Sequence, residues 1–287
     1  MLIEWNAESN SDKEIDTVFK QLQQWMDSRK LKLNVEKTEA LNILTGRHTT
    51  RENLSSLTMN GKEIKIEEKV RSLGVVLDNK LTLTQQISHT KKKAMFNLIN
   101  ISRISNFIDR NSRLKLVHGL VLSHLDFCNV LYYGLPNKEL RQLQVIINMA
   151  ARVVTGMPRY SRERITPLNI SLHFLPIKAR IYFKICLLTY KALNHGEPRY
   201  LAELLVPENP QRALRSSCNT RLQEPIIAST AYSDRCFKYC APRLYNALST
   251  DLKNAPNVEI FKKKLKTELF TRAYNMENLA VEPEFFV

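Results

Sequence analysis

The chain has 287 residues, of which 44% are hydrophobic and 25% charged. This suits a globular body of one large or two modest domains and excludes a disordered or collagen-like chain. No apolar run approaches the roughly 20 residues of a membrane-spanning helix, and residues 1–10 lack the pattern of a secretory signal. The 43 Lys and Arg against 28 Asp and Glu give a net charge of +15, and the whole surplus lies from Lys91 onward, since residues 1–90 hold 13 of each sign.

In chain order, Ser11-Asp12-Lys13-Glu14 has the spacing of a capping box, and Ile15, Val18, Phe19, Leu22, Trp25 and Met26 follow at helical period. They predict a helix over about 12–29 whose wide apolar side lies on a sheet. A short strand is predicted at 39–44. Asn60-Gly61 stands between two strand-like runs, the dipeptide of a two-residue hairpin turn. Another strand is predicted over 70–77, with Gly74 inside it as a bulge or a point of close backbone approach.

Beyond Leu83 the pattern turns helical. Ile87, Ala94, Leu98, Ile101 and Ile108 predict one long amphipathic helix with Lys91, Lys92 and Lys93 on its exposed turns, and a second helix spans about 112–127. The third is the clearest: Asn137 as cap, then Leu140, Leu143, Ile147, Ala150 and Val154 in 3,4 spacing, then Gly156 and Pro158 as stops. Its opposite face is a polar stripe of Arg141, Gln144, Asn148 and Arg152. A fourth helix starts at Pro176 and ends near 194–196, with Arg180, Lys184 and Lys191 outward. Residues 207–225, with three prolines and few apolar side chains, read as a linker or extended loop. Asn257 caps a last helix with Val258, Phe261, Leu265 and Leu269 inward and Lys262, Lys263, Lys264 and Lys266 outward. The fold class is thus α+β: a small β-rich part over 1–80, a helical domain over 81–206, and a linker with a helical end over 207–287.

A basic surplus confined to two thirds of the chain attracts polyanions, nucleic acid first among them, because each phosphate contact releases counterions. A solvated basic surface with no specific partner is the other reading. Two-metal nucleotide chemistry needs clustered carboxylates, and the chain has no Asp-Asp pair; Glu67-Glu68 is read as exposed. The P-loop, G-x-S-x-G and H-E-x-x-H signatures are missing as well. Cys236-x3-Cys240 with Cys218 upstream lacks the partner pair of a zinc site, so no metal site is expected and buried thiols are the simpler reading. Five unevenly spaced cysteines fit a reducing, intracellular setting, cytoplasmic or nuclear, rather than a disulfide framework. His118 and His124, six residues apart, are read as packing or surface residues.

The order of elements resembles a known family. Residues 22–39, LQQWMDSRKLKLNVEKTE, look like the helix, L-x-L-N-x-x-K-T segment and strand that follow the catalytic carboxylates in reverse transcriptases of non-LTR (LINE, jockey-type) retrotransposons. Residues 71–78, RSLGVVLD, resemble the F-L-G-V-x-L-D strand of that family's primer grip. Residues 133–136 (YGLP), 144–156, 241–248 (APRLYNAL) and 261–266 (FKKKLK) are similar to its downstream region. The family's aromatic-Ala-Asp-Asp tetrapeptide precedes the first helix, where this chain has Leu2-Ile3-Glu4-Trp5. The resemblance therefore implies the end of a palm, a thumb and a C-terminal region, without the carboxylates that bind magnesium in the intact enzyme and with the upstream palm and fingers as missing partners. By resemblance, Lys37 stands near the incoming nucleotide as a cation for the departing pyrophosphate, or is an ordinary exposed lysine. Arg71 and Gly74 border the primer strand, or Gly74 is a plain bulge glycine. Lys91, Lys92, Lys93, Arg103, Arg141 and Arg152 line a thumb that follows RNA or an RNA–DNA duplex through charge, or form a solvated face. Three functions are expected in turn: a nucleic-acid-binding remnant without catalysis of its own, a helical interaction or scaffold protein derived from such an element, and a polymerase that needs upstream sequence.

Overall fold

The computed structural model of the chain describes residues 11–32, 34–43, 56–59, 62–158, 160–208, 221–226 and 233–274. The chain divides into two units, residues 1–82 and 83–287. The fold is α+β and mostly helical.

The first unit begins with α1 (Ser11–Ser28), and a 3-10 turn at Val35–Lys37 leads into β1 (Ala40–Leu41). Next come β2 (Ser56–Met59), β3 (Lys62–Glu67), β4 (Lys69–Ser72) and β5 (Val75–Asp78). Three strands form one sheet in the order β1-β3-β2, with β1 parallel and β2 antiparallel to β3. Met59 lies opposite Lys62, so the loop is two residues long, as the Asn-Gly dipeptide predicts; those two residues lie outside the described ones. Along α1, Val18, Phe19, Leu22 and Met26 are only half-buried and Trp25 is 55% exposed, so no described side chain of this helix reaches full burial.

The run 70–77 is a second hairpin rather than one strand. Val70 pairs with Leu77 and Ser72 with Val75, and the chain reverses at Leu73 (φ 46) and Gly74 (φ 86). Two consecutive positive φ angles make a primed turn that matches strand twist. Glycine adopts that region without strain, whereas Leu73 takes it against its Cβ. Asp78 then organises the exit, its Oδ1 accepting from Lys80 N (3.2 Å) and Thr82 N (2.9 Å).

The second unit holds α2 (Thr84–Ile104), α3 (Arg110–Val117), α4 (Ser123–Asp126), α5 (Asn137–Thr155), α6 (Ile165–Ser171), α7 (Ile177–His195), α8 (Arg199–Ala202), α9 (Phe237–Asn246), α10 (Thr250–Lys253) and α11 (Val258–Tyr274). α2 buries Ile87, Ala94, Leu98 and Ile101 as its period predicts, but it stops at Ile104 through a 3-10 turn, and Ile108 is extended. The next helix starts earlier than its apolar pattern suggests. Asp109 caps it by accepting from Asn111 N (3.0 Å) and Ser112 N (3.3 Å), and a π-turn at His118–Leu122 carries it into α4. α5 buries all five predicted core positions and ends on Gly156 in the left-handed region, while Pro136 takes the cap position and Asn137 is the first helical residue.

α7 is the central helix. Ten of its nineteen residues are buried, which fits a helix packed by α5, α9 and α11 rather than one with a single apolar stripe. Arg180 is consequently not outward: its side chain is 11% exposed and pairs with Asp126 through Nη1 (2.8 Å), while Nε donates to Leu175 O (3.0 Å). α11 docks Phe261, Leu265 and Leu269 into the core, with Asn257 Oδ1 accepting from Ile260 N (2.9 Å) as a cap. The segment after Pro207 is pinned at its far end, where Asn246 holds both Leu222 N (2.9 Å) and Leu222 O (2.8 Å). None of the described helices is long and apolar enough to cross a membrane.

The thiols sort by depth. Cys186 and Cys240 are buried, and burial raises both, Cys240 to about 12, whereas Cys128 and Cys236 are exposed. Iodoacetamide at about pH 8 is expected to label Cys128 and Cys236 first and Cys186 and Cys240 only after denaturant is added. Peptide mass mapping reads the order, and equal rates at all four would contradict this core.

Candidate nucleic-acid interface

In the first unit, the N-x-x-K-T spacing has a local mechanical cause. Asn34 Oδ1 accepts from Glu36 N (3.1 Å) and Asn34 O accepts from Thr38 Oγ1 (2.9 Å). The turn is closed from both sides and Lys37 between them is exposed. Arg71 is exposed on β4 opposite Val76, two residues before the Leu73-Gly74 turn. All three predicted positions therefore lie on accessible turns or strand edges of this unit.

In the second unit, α2 and α5 pack against each other. Lys91 Nζ donates to Gln142 Oε1 across that contact (3.3 Å), while Lys92, Lys93 and, in the last turn of α2, Arg103 are exposed. Arg141 is exposed on α5. The rest of the α5 polar stripe is internal. Gln144 Oε1 accepts from Ile177 N (2.9 Å), satisfying the first amide of α7. Asn148 Oδ1 accepts from Gln144 Nε2 (3.0 Å) and Asn169 Nδ2 (3.1 Å), tying α5 to α6. Arg152 directs its guanidinium to Ser161 O (3.3 Å) and Glu163 O (3.5 Å) and so holds the loop between α5 and α6.

These amides line a groove of about 760 Å3 together with Lys138, Arg141, Lys178 and Arg272, the last of which is paired with Glu268 (2.7 Å). A second hollow of about 260 Å3 shares Asn137, Leu140 and Lys178 with it and is walled by Tyr133, Tyr182, Arg235 and Arg243. The YGLP and APRLYNAL segments, a hundred residues apart in sequence, meet here. Gly134 (φ 70) is needed at that meeting point, since a Cβ would stand 2.6 Å from Arg235 Cγ. Burial holds the Lys178 amine below the ordinary lysine value and raises the phenols of Tyr133 and Tyr182, the latter to about 12, so both hydroxyls stay protonated. Asp234 is the one carboxylate among the residues that line the two hollows, against six cations. The arrangement favours a polyanion held by charge.

Sequence reasoning identified Arg141 but not Lys138, Lys178, Arg235, Arg243 or Arg272, which reach the site from five different places in the chain. Of these, Arg243 sits inside a quoted motif and Lys178 opens a helix after proline; the others carry no sequence signal. Among the described residues no three His, Cys, Asp or Glu side chains are placed to hold a metal ion. No metal-dependent step is assigned to these residues.

No family model and no solved structure matches the chain. The RNA-directed DNA polymerase from mobile element jockey of Drosophila melanogaster is 24% identical to it over 148 residues, which cover 50% of this chain and 15% of that protein. The chain thus spans a small part of the curated relative it matches. Over about half of its length it carries a region related to the reverse transcriptases of non-LTR retrotransposons.

Proposed function

We propose that this chain is a nucleic-acid-binding part of a non-LTR-type reverse transcriptase, which grips RNA or an RNA–DNA duplex by charge and does not join nucleotides by itself. The observation that carries this reading is the basic lining of Lys138, Arg141, Lys178 and Arg272 on the helical unit of a chain related to such an enzyme. Lys92, Lys93 and Arg103 are further exposed cations of the same unit, on α2. Contacts of this kind position a backbone and carry little base preference. Lys37, Arg71 and Gly74 act only when the carboxylate-bearing part of a polymerase is supplied together with its magnesium ions. Lys37 then faces the departing pyrophosphate, and the Arg71–Gly74 edge borders the primer.

The test is acetylation of the full chain with and without an RNA–DNA hybrid, read by mass spectrometry. The hybrid is expected to protect Lys92, Lys93 and Lys138 more than Lys263, which is exposed on α11. Uniform acetylation in both samples would contradict the reading, as would primer extension by the chain alone.

One observation favours a second reading, that of a helical interaction protein. Phe96 is 66% and Phe107 88% exposed, with Ile99 and Ile104 exposed between them. If these side chains meet a partner, the mass in solution exceeds that of one chain.

A further inference from the structure

Away from the groove, a cavity of about 270 Å3 opens between the π-turn, α4, α7 and α11. It is at the small end of ligand pockets. Three cations, Arg180, Lys184 and Lys266, face one carboxylate, Asp126, and two imidazoles, His118 and His173, complete the polar wall. Asp126 is taken up by Arg180 Nη1 through both oxygens (3.0 and 2.8 Å). Among the described residues no carboxylate lies within ion-pair distance of Lys184 or Lys266, so the charge of the cavity is uncompensated.

The floor gives a second, independent observation. Asn129 lines this cavity, is only 1% exposed, and its Oδ1 has no hydrogen-bond partner. A buried amide costs free energy when unpaired. Since oxygen and nitrogen of an asparagine amide are assigned from their bonding network, exchanging them places an NH2 donor at this unpaired position in the cavity wall. Phe183 supplies an apolar wall, and His173 is held by stacking on Phe270 (5.4 Å, 22°). A small hollow with an arginine anchored by Asp126, two uncompensated lysines, an unpaired amide and a ring at its edge suits a phosphoryl group attached to an aromatic base.

We propose that this cavity binds a phosphomonoester of a nucleotide, free or at a strand end, with the phosphoryl group between Arg180, Lys184 and Lys266, the Asn129 amide donating to it, and the base against Phe183. The site is separate from the basic groove, so failure here and failure of the groove are distinguishable. His118 reports occupancy. Burial, then the charges of Arg180 and Lys266, hold its pKa below the ordinary 6.5, with Asp126 opposing them. Lys184 and His173 complete the charged and titratable lining of the cavity. A phosphoryl dianion brings negative charge beside the ring and raises that pKa.

The test uses the full chain with AMP, adenosine, and single-stranded oligonucleotides bearing a 5′-phosphate or a 5′-hydroxyl. By calorimetry AMP is expected to bind and adenosine not to, and the double variant Lys184→Gln/Lys266→Gln is expected to weaken AMP by about tenfold or more. By NMR the His118 titration is expected to move to higher pH with AMP. A gain for the 5′-phosphate oligonucleotide over its 5′-hydroxyl twin assigns the site to strand ends. Equal oligonucleotide binding with AMP still bound assigns it to free nucleotides. Adenosine binding as well as AMP, a folded double variant with native AMP affinity, or an unmoved His118 would each overturn the proposal. Circular dichroism checks that the double variant is folded.

Discussion

Truncating Phe261 to alanine is expected to destabilise the helical unit by about 3–5 kcal/mol, seen as a lower urea midpoint in the far-ultraviolet circular dichroism. Phe261 is fully buried and stacks on Tyr190 with ring centroids 4.1 Å apart and planes 20° apart. Tyr190 in turn donates its hydroxyl to Ala255 O (2.7 Å) in the chain leading into α11. Removing the ring leaves a cavity bounded by α7, which is packed on several sides and cannot collapse to fill it. Since a domain has only about 5–15 kcal/mol of net stability, such a loss is a large share. Phe261→Leu keeps most of the volume and is expected to cost less. A change below about 1 kcal/mol for the alanine variant would mean that α11 is not docked on α7.

The second large effect concerns charge. The variant Lys92→Gln/Lys93→Gln/Arg103→Gln/Arg141→Gln removes four exposed cations that make no contact in the core. If each meets one phosphate of a duplex, the logarithmic salt dependence of binding becomes shallower by roughly 0.9 per contact, about three to four in all, and affinity at low salt falls by orders of magnitude. Folding is expected to be unchanged, because exposed charges contribute little to stability. Arg152→Gln is the contrasting variant. Its guanidinium is committed to Ser161 O and Glu163 O, so the expected effect is a stability loss of about 1–3 kcal/mol with the salt slope nearly native. Anisotropy titrations of a labelled hybrid at several salt concentrations separate the two variants. A native slope for the fourfold variant would remove α2 and Arg141 from the interface.

How far the chain can be read from its residues depends on how local each feature is. α5 and the inward positions of α11 follow from 3,4 spacing, since one buried face leaves a periodic trace. The Asn60-Gly61 hairpin follows from a dipeptide suited to two positive φ angles. The reversal at Leu73-Gly74 was hidden because residues 70–77 are rich in valine and leucine like one strand and a leucine in the left-handed region is uncommon. Arg180 was misplaced because helical period separates inward from outward only when one face is covered, and α7 is covered on several. α9 was missed because Pro242 stands inside it, a residue that reads as a helix breaker. The groove is the least local feature of all. Its cations arrive from three helices far apart in the chain, and only the packing of α5, α6, α7 and α11 places Arg141, Lys178 and Arg272 around one opening. Composition records that the charge exists, but only the packing decides where it converges.

The central claim, that this chain grips nucleic acid through a basic helical unit, is tested most directly by titrating the native full chain with an RNA–DNA hybrid at about 50 mM and about 200 mM salt. The expected result is binding at the lower salt that weakens by orders of magnitude at the higher, alike for hybrids of different sequence. Absence of binding at micromolar protein in the lower salt, or an affinity indifferent to salt, would contradict it.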